Sequence, residues 1–289
     1  MINTNTPFQN ADHCRTYFDI DMKFNKSANA VHRGREKKYL ALLLAARYGF
    51  VSAITCEAIW QIKRHKVLES LNRIVKEGLL LIAETDRAAD GRIYVLTHSG
   101  AQFASDLMRI DVPFRSAKEP ITQVNQNAIM HDSIMSFVLS LGLQNKTKDG
   151  IPKPLWDGYL TELEFKRIHT SSNIKNVDAL VQLANGEVAA VELEASFKRK
   201  QQHEKTLLKL CDAMLGENRL YDKVFIIPCS QKINNDTQRF HKQLFEEMPL
   251  RYDRKTKQPL LSENDANKLQ EKIIYRTKFI DPIEKTFYR

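Results

Sequence analysis

Acidic side chains lie at corresponding ends of two short apolar runs near the middle of the chain. Asp178 begins the first run, and Glu192 and Glu194 end the second. The pair Asn185-Gly186 between the runs is typical of a tight β-hairpin turn. Because side chains alternate across a strand, Glu192 and Glu194 share a face, and closure of the hairpin brings Asp178 to the same end of the sheet. Converging carboxylates of this kind can hold a hard divalent ion such as Mg²⁺ or Mn²⁺.

A divalent ion at that position would suit the cleavage of a phosphodiester. The ion neutralises charge on the phosphate and lowers the pKa of a bound water molecule, and a nearby lysine can stabilise the charge that develops. Asp178 and Glu192 are the preferred metal ligands. Glu194 either binds the metal or orients water, and Lys198 supplies the cation from just beyond the strand.

This arrangement resembles the PD-(D/E)XK nuclease superfamily, which has the restriction-endonuclease-like fold. The motif of that superfamily is an acidic residue at the start of one strand, followed by an acid-x-lysine on the next. Asp178 matches the first position and Glu192 the second, but Val177 stands where the motif has proline and Glu194 where it has lysine. Lys198 is a candidate for the displaced lysine. The alternative is an amphipathic hairpin whose acids lie on a solvated face.

The resemblance implies one further metal ligand on the preceding helix, which we predict over residues 156–168. Glu162 is the better candidate and Glu164 the weaker. The alternative for each is a solvated helix carboxylate that pairs with Lys166 or Arg167.

Regular elements surround the hairpin in an order that matches the restriction-endonuclease-like core. We place a domain of this kind over residues 125–289. Its predicted elements are a helix over 125–143, the helix over 156–168, the hairpin over 178–194, a helix over 201–218, a buried strand over 223–228, a helix over 237–247 and a closing strand over 272–280.

The segment over residues 35–110 has three predicted helices, a two-stranded ribbon and a further helix. This order resembles the winged helix-turn-helix family, in which the third helix lies in the major groove and the ribbon touches the DNA backbone. Basic residues are frequent on the third helix and the ribbon, where phosphates and base edges would be contacted. The predicted DNA-binding residues are Lys63, Arg64, His65, Lys66, Arg73, Arg87 and Arg92. The alternative is a winged-helix module that contacts protein.

The remaining segments and the composition complete this prediction. Residues 1–34 are polar and end in basic residues, which predicts a flexible basic arm, and the proline-containing segment 111–124 predicts a linker. A net charge of +9 favours a polyanionic partner, although a merely soluble basic protein is the alternative. Four cysteines without metal-finger spacing, the lack of an apolar run of membrane-spanning length and a polar N-terminus lead us to expect a cytoplasmic protein without a membrane segment.

The winged helix followed by a degenerate nuclease-like domain is similar to the replication-relaxation family, which includes the C-class plasmid mobilisation relaxases. The resemblance covers roughly residues 36–230. It implies an α+β or α/β protein that nicks one DNA strand at an origin of transfer or replication, with Mg²⁺ or Mn²⁺ as cofactor and relaxosome or coupling proteins as further partners. Two alternatives stay open: a non-catalytic, sequence-specific DNA-binding accessory or repressor, and a restriction-type double-strand endonuclease. No tyrosine is assigned as a covalent nucleophile.

Overall fold

The computed structural model describes residues 11–169, 175–216, 219–255 and 257–288. The described chain is a mixed α and β protein. Its α-helices are α1 (Ala11–Phe18), α2 (Ala30–Tyr48), α3 (Ala53–Trp60), α4 (Arg64–Lys76), α5 (His98–Met108), α6 (Ile129–Leu143), α7 (Glu162–Ile168), α8 (Lys200–Leu215), α9 (Gln231–Glu247), α10 (Glu263–Lys272) and α11 (Ile280–Phe287). Its strands are β1 (Leu80–Glu84), β2 (Arg92–Leu96), β3 (Gly158–Thr161), β4 (Ala179–Gln182), β5 (Val188–Glu194), β6 (Lys223–Pro228) and β7 (Ile273–Tyr275).

The chain divides into two compact units, one over residues 19–158 and one that combines residues 1–18 with 159–289. The first unit contains α2 to α6 and the antiparallel β1–β2 hairpin. The helices α3, α4 and α5 and this hairpin lie where the sequence predicts them, whereas α2 begins at Ala30, inside the segment predicted to be an arm. Gly49 ends α2 in the left-handed conformation, and α4 buries the apolar stripe of Val67, Leu71 and Ile74.

The helix α6 lies in the first unit rather than at the start of the second. Its Ser136 hydroxyl lies 3.0 Å from the hydroxyl of Thr55 on α3, and most of its residues are buried. Trp156, beyond α6, donates a hydrogen bond to the carbonyl of Leu139. The boundary between the units therefore lies at residues 158 and 159, not at the predicted linker over 111–124. The end of that segment instead packs against the first unit, through Ile121 and Val124.

The prediction of a flexible arm over residues 1–34 is wrong for residues 11–18 and 30–34, which are helical. Residues 11–18 form α1, on which Cys14, Tyr17 and Phe18 are buried. Residues 30–34 belong to α2, which Asn29 caps by accepting hydrogen bonds from two backbone N–H groups. Residues 1–10 lie outside the described part of the chain.

The second unit contains a mixed sheet in which five strands are described, in the order β3-β4-β5-β6-β7. The strands β4 and β5 are antiparallel, and β5, β6 and β7 are mutually parallel. The β4–β5 hairpin confirms the prediction from the Asn-Gly pair, because Gly186 has a φ of 82° and occupies the left-handed position of the turn. Every residue of β5 is buried, so this strand forms the centre of the sheet.

Three predicted elements of the second unit differ from the structure. One is α9, which begins at Gln231 rather than at residue 237. Residues 158–161 form the strand β3, and the predicted helix over 156–168 begins only at Glu162, where Thr161 caps it. The closing strand predicted over 272–280 is limited to Ile273–Tyr275, and a 3₁₀ turn and α11 follow. None of the helices in the described ranges combines the length and the apolar character needed to cross a membrane.

Candidate functional site

The β4–β5 hairpin brings Asp178 and Glu192 to the same end of the sheet. Ala179 pairs with Val191, so the antiparallel register extended by one residue sets Asp178 opposite Glu192. The carboxylate of Asp178 accepts a hydrogen bond of 2.7 Å from the backbone N–H of Leu193. The position of Asp178 is therefore fixed by the strand that carries the two glutamates.

Glu192 is a buried carboxyl group beside a second carboxylate. Only 5% of the residue is exposed. Burial, followed by the negative charge of Asp178, raises the pKa of Glu192 to about 8. Lys175 opposes this shift, since its Nζ lies 2.7 Å from Oε1 of Glu192. A buried carboxyl whose pKa lies close to neutrality, next to another acid, is typical of a functional site.

Glu194 is buried on the same strand and pairs with Lys198. It is 2% exposed, and Nζ of Lys198 lies 2.9 Å from Oε1 and 2.8 Å from Oε2. Burial raises the pKa of Glu194, while the charge of Lys198 lowers it and that of Asp178 raises it further. The alternative of a hairpin with its acids on a solvated face is therefore wrong for both glutamates.

Lys175 is a charged group of this site that the sequence patterns did not reveal. It lies three residues before Asp178, in a polar stretch without periodicity. Its ammonium group forms an ion pair with Glu192 that is largely buried. The site thus contains three carboxylates and two ammonium groups.

The two glutamates of α7 have different surroundings. Glu162 is partly exposed and pairs with Lys166 at 2.5 Å across one helical turn. Glu164 is buried and completes a capping box, in which its Oε2 accepts the N–H of Thr161 at 2.8 Å. The capping role explains Glu164 without a metal. Glu162 therefore stays the candidate on this helix.

The donor chemistry of the hairpin fits a hard divalent ion, but the cluster is small. Asp178, Glu192 and Glu194 offer only oxygen donors, which Mg²⁺ and Mn²⁺ prefer. Across the ranges that the structure describes, however, no group of three or more His, Cys, Asp or Glu side chains is placed to hold a metal ion. An ion here would be held by two carboxylates, with water or a phosphate oxygen completing its coordination.

A cavity of about 410 Å³ lies next to the end of β5. Its lining includes Ala195, which directly follows Glu194, and Cys229 and Ser230, which follow β6. The N–H of Cys229 donates to the carbonyl of Glu194 at 2.9 Å. Ligands of sheets with parallel strands bind at the carboxyl ends of those strands, so this cavity is a candidate space for a substrate group.

A buried chain of hydrogen-bonding rings lies near Lys198. Nδ1 of His203 lies 3.2 Å from Nε2 of His241, and Nδ1 of His241 lies 2.7 Å from the hydroxyl of Tyr275. Burial, followed by the charge of Lys198, lowers the pKa of His203 to about 4. Burial, followed by His203 and Lys198, lowers that of His241 to about 3. The rings come from α8, α9 and β7, so no short sequence motif could have revealed them.

Some of the residues predicted to bind DNA form ion pairs within the protein, and the others are exposed. The guanidinium of Arg64 forms hydrogen bonds with Glu57 at 2.6 and 2.8 Å and with Asp90 at 2.8 Å. This arginine therefore joins α3, α4 and the β1–β2 loop. Lys66 forms an exposed pair with Glu69 at 2.9 Å, which is weak enough to exchange for a phosphate. The other predicted residues are exposed: Lys63, His65, Arg73, Arg87 and Arg92.

No protein-family model, curated protein or solved structure matches this chain.

Proposed function

We propose that the chain is a metal-dependent DNA-nicking enzyme of the relaxase type, which acts on one strand at an origin of transfer or replication. The observation that carries this proposal is the cluster of Asp178, Glu192 and Glu194 with Lys175 and Lys198 at one end of the sheet, in which both glutamates are buried. Burying a charge costs free energy unless it is paired with an opposite charge or serves a function. Here three carboxylates lie together at one end of the β4–β5 hairpin.

The order of elements supports the two assigned domains. Three helices, a two-stranded hairpin and a following helix in the first unit are compatible with a winged helix-turn-helix that binds DNA. A mixed sheet whose central hairpin carries the acids is compatible with a restriction-endonuclease-like domain. The net charge of +9 supports a nucleic acid as partner.

The roles of the side chains follow from their positions. Asp178 and Glu192 are the carboxylates that would hold Mg²⁺ or Mn²⁺, and Glu162 is the candidate for a third. When bound, the ion would supply Lewis-acid stabilisation of the phosphate and activate water. Glu194 is placed to accept a proton or a hydrogen bond from that water. Lys198 can turn from Glu194 toward charge that develops on the phosphate.

A non-catalytic DNA-binding accessory or repressor is the second candidate. The observation that favours it is the neutralisation of Glu192 and Glu194 by Lys175 and Lys198. Each ammonium group occupies a position where a metal or a phosphate would otherwise be expected. A degenerate nuclease domain that keeps its fold by internal ion pairs would have this appearance.

Nicking of a supercoiled plasmid tests the proposal. The plasmid carries the DNA that flanks this gene, and the reaction contains Mn²⁺ or Mg²⁺. We expect open circles with the unmodified protein and at least a hundredfold loss of rate with Asp178→Asn and with Glu192→Gln. Glu187→Gln is the matched control, because Glu187 lies on the same hairpin but at its turn and pairs with Lys223.

The DNA products of this reaction distinguish the nicking enzyme, the double-strand endonuclease and the non-catalytic DNA-binding protein. Open circles that persist with Asp178→Asn and Glu192→Gln would contradict the proposed site. Linear product would support a restriction-type double-strand endonuclease. Sequence-specific binding without cleavage under any divalent ion would support the accessory or repressor.

A further inference from the structure

A basic groove with a volume of about 470 Å³ lies in the first unit, between the N-terminal half of α2 and the C-terminal half of α4. Its lining contains five basic side chains and a single carboxylate, that of Glu77. The basic residues are Arg33, Arg35, Lys37, Lys38 and Arg73. Cations concentrated in a groove repel one another and attract a polyanion.

Three of these cations already have partners. Lys38 pairs with Glu77 at 3.0 Å. Arg33 donates to the backbone carbonyls of residues 27 and 28 at 2.8 and 3.2 Å. Nζ of Lys37 lies 5.7 Å from the centre of the Trp60 ring, and burial, followed by the charge of Arg33, lowers the pKa of Lys37.

Arg35 and Arg73 are different, because neither guanidinium has an ion-pair partner within the described part of the chain. Both are exposed and both line the groove. An arginine is suited to bind phosphate through two parallel hydrogen bonds. Two guanidinium groups that line one groove without ion-pair partners in the described chain are therefore suited to bind phosphates of one strand.

Gly34 provides an independent observation. It lies inside α2 and lines the groove, and a Cβ atom built on it would meet nothing within 4 Å. Packing therefore does not require glycine here, and glycine in a helix is less stable than alanine. A glycine in such a position allows the backbone to approach a ligand closely.

We propose that the α2–α4 groove binds the phosphodiester backbone of a nucleic acid strand, with Arg35 and Arg73 on its phosphates and the strand lying over Gly34. This inference shares with the proposed function only the class of ligand, and it does not depend on an active sheet site. It adds a phosphate contact away from the start of α4, where Arg64 is held by Glu57 and Asp90.

Fluorescence anisotropy with the full chain and a labelled 20-nucleotide DNA, single-stranded and duplex, tests the groove. We expect the double variant Arg35→Gln with Arg73→Gln to bind at least tenfold more weakly at low salt. The slope of log K against log salt should become shallower by roughly 1.4 for single strands and 1.8 for duplex, which corresponds to two lost phosphates. Arg115→Gln, an exposed arginine outside the groove, is the control and should bind within twofold of the unmodified protein.

Gly34→Ala separates binding from folding. We expect its thermal unfolding temperature to equal or exceed that of the unmodified protein, because alanine favours the helix, while its affinity for DNA falls at least threefold. An unchanged salt slope in the double arginine variant, or unchanged affinity in Gly34→Ala, would overturn the proposal. So would tighter binding of the unmodified protein to vesicles rich in phosphatidylserine than to DNA, since that would identify a lipid surface as the partner.

The nicking assay distinguishes failure of the groove from failure of the catalytic proposal. If no protein nicks DNA but the arginine variant still loses affinity, the catalytic proposal fails and the groove stands. If nicking depends on Asp178 and the arginine variant binds normally, the groove fails and the catalytic proposal stands.

Discussion

Asp178 accepts the backbone N–H of Leu193 at 2.7 Å, so one acid of the candidate site is joined directly to the strand that carries the other two. This bond lies just beyond the last backbone pair of the β4–β5 ladder. It therefore fixes the separation of Asp178 from Glu192 as well as the end of the hairpin. The same carboxylate has a structural and an electrostatic effect, and the two effects can be separated by substitution.

We expect Asp178→Ala to lower the free energy of unfolding by about 1–3 kcal/mol, because the N–H of Leu193 loses its acceptor. Asp178→Asn keeps an oxygen acceptor and should be more stable than the alanine variant. In the asparagine variant the pKa of Glu192 should fall, since the neighbouring negative charge is removed. Urea unfolding and an NMR titration of the Glu192 carboxyl measure the two quantities. Equal stability of the two variants would contradict the structural role.

We expect Lys175→Gln to raise the pKa of Glu192 above about 8, because the cation that opposes burial is removed. Lys175→Arg keeps the charge and should leave the pKa closer to that of the unmodified protein. Lys223→Gln, which breaks an ion pair with Glu187 at the turn of the same hairpin, is the control. An NMR titration that places the pKa of Glu192 at the same value in all four proteins would show that Lys175 does not act on it.

The parts of the fold that the sequence predicts are those set by local chemistry. Asn185-Gly186 determines the turn of the hairpin, and the alternation that follows determines which acids meet. The sequence pattern does not predict the strand β3, because this strand has only four residues and a helix follows it directly. The Thr161 and Glu164 pair has the spacing of a capping box and marks the start of α7 at Glu162, so a signal for this boundary is present in the sequence.

The parts that the sequence does not predict depend on distant neighbours. Arg64 is basic on a surface helix, and only the fold shows that Glu57 and Asp90 hold it. The pairing of Lys175 with Glu192 spans 17 residues. The helix α6 buries most of its residues, and its apolar pattern predicts burial without indicating which unit buries it.

The two glutamates of α7 provide a matched pair of substitutions. Glu164→Ala removes the capping box, and we expect it to lower the free energy of unfolding by about 0.5–2 kcal/mol. Glu162→Ala breaks only the exposed pair with Lys166, which is worth about 0.3–0.5 kcal/mol. If Glu162 completes a metal site, its variant should lose nicking while it keeps stability. Normal nicking by Glu162→Ala would remove Glu162 from the site.

We expect Gly142→Ala to destabilise the first unit by about 1–3 kcal/mol or more, through overpacking. A Cβ atom at this position would lie 1.9 Å from the Trp156 ring, and Trp156 is fully buried. The control is Gly34→Ala, because a Cβ atom at this helical position meets nothing within 4 Å. Gly150 is unsuitable as a control because its φ of 81° would strain any side chain placed there. Thermal unfolding followed by tryptophan fluorescence measures the effect. An unchanged midpoint in Gly142→Ala would show that Trp156 does not pack on α6.

The buried histidines predict a loss of stability in acid. The pKa of His203 is lowered to about 4 and that of His241 to about 3, whereas an unfolded histidine titrates near 6.5. Below about pH 6.5 the unfolded chain therefore binds protons that the folded chain does not. The contribution of each histidine is complete above that pH and is lost as the pH falls toward 4 and 3.

Substitution of one histidine isolates this effect from the carboxylates that titrate in the same range. We expect His241→Gln to make the free energy of unfolding less dependent on pH between about 6.5 and 4, by up to about 1.4 kcal/mol per pH unit. Tyr275→Phe removes the hydrogen bond to His241 without a group that titrates below pH 7, so its effect should be much the same at each pH. Urea unfolding at pH 4.5, 5.5, 6.5 and 7.5 gives the slopes. Parallel curves for the unmodified protein and His241→Gln would mean that His241 takes up its proton in the folded state.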